Sequence, residues 1–325
     1  MRIVKPIVVV EDDLDMLLPN GLKLYEHMAR KIEKFVRLCY KSEGRMTEDS
    51  WRTFLKGIFQ TKRHTGIAEH RMVSVTFVTD RGVSHEGLRH RMAAPYVFEG
   101  EGGVEAPHEA GEDSWLQEST RYCDYSGICK KCAGSGDVTD PAAANVNGEQ
   151  PVMPCPVCSG TGSISKGVTY ILPPWIKKAW EMKDGHRIWL EETPELRWGW
   201  ADYLRRLHEN EQIYSDVCKA GEKPEQARYW LPQGLKTEYV ASMNLGSWWN
   251  FFFKRTPEAA HPQIRQLAIP LHRYFNDRLP QFFDSIPKYE AVDGQFNHKG
   301  VWYDEARLVV NGYYDQVEFE EVYSD

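Results

Sequence analysis

The sequence predicts a chain of mixed helices and strands interrupted by one irregular insertion. Apolar residues recur at three- and four-residue steps in some segments and alternate at two-residue steps in others. Residues 126–165 break both patterns and hold four paired cysteines. Ile7–Val10 is an apolar β-branched run and reads as a strand. Asn20 is placed to cap a helix in which Leu24, Met28, Ile32, Phe35, Val36 and Cys39 form one apolar stripe. Residues 51–59 read as a second helix. Val73, Val75 and Phe77 alternate with Ser74 and Thr76, a strand with one buried face. Ser84 is placed to cap a helix carrying Arg89, His90 and Arg91. Residues 95–114, rich in Gly, Glu, Ala and Pro, read as an acidic surface loop. After the insertion, 168–172 reads as a strand, 174–182 as a short helix and 198–218 as a long helix with Glu and Arg on one side. Further helices are expected over 237–255 and 262–283. The Val- and Tyr-rich tail, 301–322, is expected to form a hairpin around Asn311-Gly312.

At 325 residues the chain can bury a large core as one domain or two. A composition of 42% hydrophobic and 27% charged residues is that of an ordinary globular protein. The net charge of −7 excludes a general trap for nucleic acid or acidic membrane, so anion binding has to come from local arginine clusters. No apolar run is long enough to span a bilayer, and the N-terminus lacks a signal-peptide pattern. Seven cysteines with paired CxxC spacing point to metal binding in a reducing, cytoplasmic compartment, not to disulfides. Cys39, Cys123 and Cys218 are expected as packed thiols.

Two separated sets of residues carry the ligand chemistry. The first is Arg89-His90-Arg91 followed by Gln117-Glu118-Ser119-Thr120-Arg121-Tyr122. Consecutive helical side chains point about 100° apart, so the triplet suits a helix wedged between two anions. Arginine is apt there because its planar fork binds phosphate bidentately and keeps its charge. Taken alone, the triplet reads more simply as a solvated basic face. The second set is Arg228, Leu231-Pro232, Asn244, Asn250 and Arg255. Asn244 and Arg255 lie 11 residues apart, close to three helical turns, and are expected on one stripe of one helix. Around Asn250 the run Trp248-Trp249-Asn250-Phe251-Phe252-Phe253 is apolar on all sides and should be buried, where the amide needs a partner. A backbone carbonyl is the plain partner; a bound ligand is the specific one.

Together the two sets resemble the flavin-dependent thymidylate synthases, the ThyX family. The resemblance covers most of the chain outside two inserts, and the C-terminal set is its more specific part. It implies an α+β fold, a small mixed sheet with long helices, assembled as a homotetramer whose active sites draw residues from several subunits. It implies conversion of dUMP to dTMP, with methylenetetrahydrofolate as carbon donor and NADPH-reduced FAD as hydride donor. By the same resemblance, Glu86, Arg89, Gln117, Ser119, Arg121, Arg228 and Arg255 face dUMP, and His64, Arg89, His90, Arg91, Gln117, Asn244 and Asn250 face FAD. Glu69-His70 follows His64 as in the family. Arg255 is the catalytic candidate: a fixed positive charge beside the pyrimidine ring favours ionisation at N3 and makes C5 more nucleophilic. Ser119 is then a positioning residue, since no side-chain nucleophile is required.

The chain also departs from the family. The stretch between Arg91 and Arg121 is lengthened by the acidic loop. Ala94 stands for a serine, Gly246 for an arginine, Glu86 for a glutamine, and Gly66-Ile67 for Ser/Thr-Pro. A carboxylate at 86 near a phosphate is unfavourable, which leaves open a related one-carbon transferase with another product, such as a hydroxymethyl pyrimidine nucleotide.

Cys129-Lys-Lys-Cys132-Ala-Gly-Ser-Gly136 and Cys155-Pro-Val-Cys158-Ser-Gly-Thr-Gly162 are two copies of CxxCxGxG. They resemble the zinc-binding repeats of DnaJ chaperones. Each CxxC turn aims two thiolates at one ion, so the pair supplies four sulfurs for one structural Zn²⁺. A redox pair or two unpaired knuckles is the minor alternative, and an iron–sulfur cluster is less favoured by the glycine pattern. The stretch between the knuckles, 137–153, reads as a flexible loop. The expected organisation is a ThyX-like N-terminal half (1–125), a zinc ribbon (126–165) and a C-terminal half (166–325) that completes the same domain. A non-enzymatic ribbon protein binding protein or nucleic acid through 127–162 ranks last, against the net charge and the retained arginines.

Overall fold

The computed structural model describes residues 2–87, 114–121, 123–133, 135–139, 152–162, 167–175, 180–183, 186–189, 200–292, 294–312 and 320–321. In chain order the elements are β1 (Arg2–Val4), β2 (Ile7–Val10), α1 (Leu24–Cys39), α2 (Ser50–Lys56), β3 (Met72–Asp80), α3 (Arg81–Gly87) and β4 (Ser114–Gln117). The short strands β5 (Asp137–Thr139), β6 (Val152–Pro154), β7 (Thr169–Ile171), β8 (Trp180–Lys183) and β9 (His186–Trp189) follow. Then come α4 (Trp200–Lys219), α5 (Pro224–Ala227), β10 (Lys236–Asn244), α6 (Leu245–Arg255), α7 (Pro262–Arg278) and α8 (Pro280–Phe283). The last strands are β11 (Ala291–Val292), β12 (Gln295–His298), β13 (Val301–Asp304), β14 (Arg307–Val310) and β15 (Glu320–Glu321).

The fold is α+β. Its central sheet has the order β14-β2-β3-β10-β4. It is mixed: β14 runs parallel to β2, and the other pairs are antiparallel. Alternation along the strands sends Val8, Val10, Val73, Val75, Phe77, Tyr239, Ala241 and Met243 to one face, where α1, α6 and α7 cover them. Val9 and Val78 go to the opposite face, against Val4 and Ile171. The core is aromatic. Trp248, Phe251 and Phe252 of α6 and Phe275 of α7 are fully buried, with the Trp248 and Phe275 rings 5.5 Å apart. Truncating any of them to Ala costs about 3–5 kcal/mol.

Several elements depart from the sequence expectation. The helix expected over 237–255 is a strand followed by a helix. Thr237, Tyr239, Ala241 and Met243 are buried and alternate with half-exposed Lys236, Glu238, Val240 and Ser242, a period of two. Asn244 therefore shares no helix stripe with Arg255. It is the cap of α6, with φ −70° and ψ 163°, and its Oδ1 accepts from Ser247 N at 2.8 Å. Likewise Ser84 lies inside α3, donating to Arg81 O, while the Asp80 carboxylate receives Val83 N at 2.8 Å in the capping role. Trp180–Lys183 pairs with β9 as a strand, not a helix. The helix over 262–283 stops at Leu279, because Pro280 has no N–H to continue the ladder, and restarts as α8. β14 pairs in parallel with β2, and residues 313–319, which would form the second arm of the hairpin expected at Asn311-Gly312, lie outside the described residues. Residues 137–139 and 152–154, expected as loop, form an antiparallel ladder. Cys39 is exposed, not packed; Cys123 and Cys218 are half-buried. Among the described residues no helix is long and apolar enough to cross a membrane.

Among the described residues one histidine is buried in the core. His272 on α7 is buried; its Nε2 donates to Phe283 O at 3.2 Å and its Nδ1 receives the Tyr289 hydroxyl at 2.7 Å. A carbonyl can only accept, so the neutral ring with its proton on Nε2 satisfies both bonds. Burial holds its pKa below the usual 6.5. A depressed folded pKa gives stability that is present above 6.5 and lost as pH falls toward the folded value. Thermal melts of wild type and His272→Gln from pH 7.5 to 5 should show a fall that the variant lacks; parallel curves would refute this.

Candidate functional site

The described candidate residues form three groups. The first surrounds the turn after β4. Gln117 closes the strand and donates through Nε2 to Ser84 Oγ at 2.6 Å and Thr237 Oγ1 at 3.3 Å. The Ser119 hydroxyl accepts Arg121 N at 3.3 Å, which tightens the turn. Thr120 is buried and accepts from Arg228 Nη1 at 3.2 Å. The Arg121 guanidinium is largely exposed, 3.6 Å from Glu225. A cavity of about 250 Å³ opens here, lined by Arg81, His85, Thr120, Arg228, Leu231 and Pro232 among others. Two guanidiniums, an imidazole and a hydroxyl converge on it, the chemistry of a phosphate site. Arg81 and His85 escaped the sequence reading, which named Thr120 in its motif without a role of its own. The one-turn spacing of Arg81 and His85 on α3 and their neighbourhood to Thr120 and Arg228 emerge only when the chain is folded.

The second group is Glu86 on α3 with Arg255 at the end of α6. Arg255 Nη1 lies 3.3 Å from Glu86 Oε2, and Nη2 donates to Glu86 O at 3.3 Å. The side chains are 29% and 19% exposed, so the pair sits at a surface that a ligand can reach. Against it lies the buried Tyr239 hydroxyl, without a hydrogen-bond partner among the described residues. Burial pushes its pKa up, so it is a phenol at neutral pH. A Cβ at Gly87 would lie 2.7 Å from that oxygen, which is why glycine stands there. Neither Glu86 nor Arg255 lines the Arg228 cavity, which Arg81 and His85 face from the same short helix.

The third group lies across the core. His64 Nδ1 bonds the Tyr40 hydroxyl at 2.9 Å, and the two rings are nearly parallel. With Phe35, Leu38, Ile67 and His70 they line an open, mostly apolar cavity of about 510 Å³. Asn250 is buried in the middle of α6. Arg89, His90 and Arg91 lie outside the described residues, as do Ala94 and the acidic loop apart from Ser114. A larger cavity of about 590 Å³ lies elsewhere, between β1, α7 and β14. Its Arg273 and Arg278 are already paired with Glu305 and Asp15.

The cysteines converge. All four sulfurs lie within 4.8 Å of one another, with Cys129–Cys155 and Cys132–Cys158 each 3.7 Å apart. At a zinc–sulfur distance of about 2.3 Å the edge of a sulfur tetrahedron is about 3.8 Å, so the cage fits that ion. Gly162 N donates to Cys158 Sγ at 3.2 Å. The knuckles repeat each other: Ala133 and Ser159 have φ of 49° and 53°, Gly136 and Gly162 of 84° and 76°. At Gly136 a side chain would also strike the Gly160 carbonyl.

The family model described as thymidylate synthase complementing protein matches residues 23–281. The chain belongs to that family. Among curated relatives, a flavin-dependent thymidylate synthase of Thermococcus onnurineus is 33% identical over 100 residues, 31% of this chain and 34% of that protein. One from Thermotoga neapolitana is 30% identical over 83 residues, 26% of this chain and 38% of that protein. These matched stretches therefore span about a third of the relatives' lengths. Among solved structures, the UMP/dUMP methylase PolB of Streptomyces cacaoi, bound with 5-Br dUMP, superposes with a TM-score of 0.54 at 14% identity. The superposition covers 88% of this chain and all of that one, a likeness of fold.

Proposed function

We propose that the chain is a flavin-dependent thymidylate synthase acting in the cytoplasm, which converts dUMP to dTMP with methylenetetrahydrofolate as carbon donor and NADPH as reductant. Family membership and the cavity where Arg81, Arg228 and Thr120 converge carry this reading. In it, Arg228, Arg121, Ser119 and Gln117 hold the nucleotide, together with Arg89 and Glu86. Arg255 sits by the pyrimidine and stabilises negative charge developing on the ring. His64, Asn244 and Asn250 hold FAD with Arg89, His90, Arg91 and Gln117. The burial of the Asn250 amide, which there needs a polar partner, supports that assignment. When bound, the flavin supplies hydride; the protein positions and polarises. The Cys129, Cys132, Cys155 and Cys158 cage holds one structural Zn²⁺, in an insertion (126–165) between two halves of one domain.

The Arg228 cavity and the Glu86–Arg255 pair do not share one cavity in a single chain. This separation supports a homotetramer in which one nucleotide is enclosed by groups from different subunits. A second reading, another C5 product such as a hydroxymethyl pyrimidine nucleotide, is favoured by one observation. The Glu86 carboxylate contacts the very guanidinium proposed to face the base. A mass-resolved assay separates them: flavin-loaded protein is given dUMP, methylenetetrahydrofolate and NADPH under low oxygen. A dTMP product supports the first reading, and a hydroxymethyl product supports the second. No nucleotide product with any pyrimidine would falsify both.

A further inference from the structure

We infer that the metal ribbon sets the position of the Ser119–Thr120–Arg121 turn, with Tyr125 and Tyr214 as the positioning residues that link the two. The inference rests on the reading of that turn as a nucleotide site. Only residues 122–128 separate Arg121 from the first ribbon ligand, Cys129, and the described part of this leg has little slack. Cys123 N donates back to Ser119 O at 3.0 Å. Asp124 Oδ1 accepts from Ser126 N at 2.9 Å and Ser126 Oγ at 2.6 Å, and Ile128 N donates to Ser126 Oγ at 3.2 Å. Cys129 N then donates to Gly162 O at 2.9 Å, which joins the leg to the second knuckle.

Tyr125 ties this leg in two directions. Its hydroxyl reaches back to Glu118 Oε1 at 2.8 Å, next to the turn. Its N–H donates to the hydroxyl of Tyr214 on α4 at 3.2 Å. The returning leg docks on the same helix, three residues earlier, where Val168 N donates to Glu211 Oε1 at 2.8 Å. Helix α4 packs on the helical turn that carries Arg228, and Arg228 donates to Thr120. The circuit is thus closed: turn, Tyr125, Tyr214, α4, Arg228 and back to the turn. Burial, reinforced by Glu118, pushes the Tyr125 pKa up and keeps the phenol a donor. A turn anchored at both ends gives up less freedom when it closes on a ligand. Losing the metal releases the Cys129 end of the leg that carries Tyr125.

The test is dUMP affinity, measured by calorimetry on the full-length flavin-loaded protein. Wild type is compared with Tyr125→Phe, with Tyr214→Phe, and with wild type stripped by a chelator and resupplied with Zn²⁺. Tyr125→Phe should keep its zinc and flavin yet bind dUMP about tenfold more weakly, the loss of one hydrogen bond to a charged group. The loss should fall on KM for the nucleotide, not on kcat. Stripping should weaken dUMP binding at least as much, and zinc should restore it. Unchanged dUMP affinity in Tyr125→Phe and in stripped protein, with wild type binding normally, overturns this inference alone. Wild type that binds no dUMP overturns the nucleotide reading with it.

Discussion

Replacing Arg255 by Ala should lower turnover by roughly 10²–10³-fold, the range found when one charge-stabilising donor is removed from a reacting centre. The guanidinium is the one cation at the end of α6 that the fold holds against α3, through two contacts to Glu86. It lies at the surface of the aromatic core, 19% exposed, where its field is less screened than in bulk water. Of the flavin ligands proposed, Asn244 bonds Ser247, His64 bonds Tyr40 and Gln117 bonds Ser84 and Thr237, and none of these bonds involves Arg255, so bound flavin should survive the change. Flavin absorbance and single-turnover product formation measured on the same sample separate the two effects. Full turnover in the Ala variant would refute the catalytic assignment. Glu86→Gln is the informative companion, because it removes the carboxylate and keeps the guanidinium. A rise in dUMP turnover in that variant would mean that Glu86 restrains the reaction with uracil. No change would mean that the ion pair is only structural.

The second large effect concerns the ribbon. Cys129→Ser, or the same change at Cys132, Cys155 or Cys158, should take zinc from one per chain to none. Among the described residues the ladder between β5 and β6 pairs three residues on each side. A ladder that short does not hold itself together in water. Structural zinc contributes about 10–16 kcal/mol in isolated finger peptides, so the ribbon is expected to unfold locally when one thiolate is lost. Metal content and hydrogen exchange of residues 127–162 report this directly. Zinc retained at one per chain in any single variant would refute the proposed ligand set. The central sheet has its own buried core and should keep its protection, which separates a local loss from a global one.

Much of the framework was legible because it rests on local periodicity. The stripe Leu24–Cys39 became α1, the alternation at Val73–Phe77 became β3, and the CxxC knuckles converged as their spacing required. The worst misreading, a helix over 237–255, arose where strand and helix abut with no glycine or proline between them. Asn244 was the available signal. Read as a cap, it divides the segment correctly; read as a ligand on a helix stripe, it conceals the strand. The helix expected over 174–182 overran into a strand whose partner, β9, lies a few residues on, and propensity alone carries no knowledge of a partner.

The sequence by itself determined the family and the four-cysteine cage, because motifs are local and their chemistry travels with the side chains. Tertiary structure decided which of those residues meet. Glu86 and Arg255 are far apart in the chain, and antiparallel pairing of β3 with β10 starts α3 and α6 at opposite ends of the pair; they touch because α6 runs back along β3, past Val73 and Phe77, until Arg255 at its end reaches α3. The same pairing gathers Arg81, His85, Thr120 and Arg228 around one cavity, and α4 receives both legs of the ribbon. Contacts of this kind depend on long-range register and packing, which no local pattern encodes.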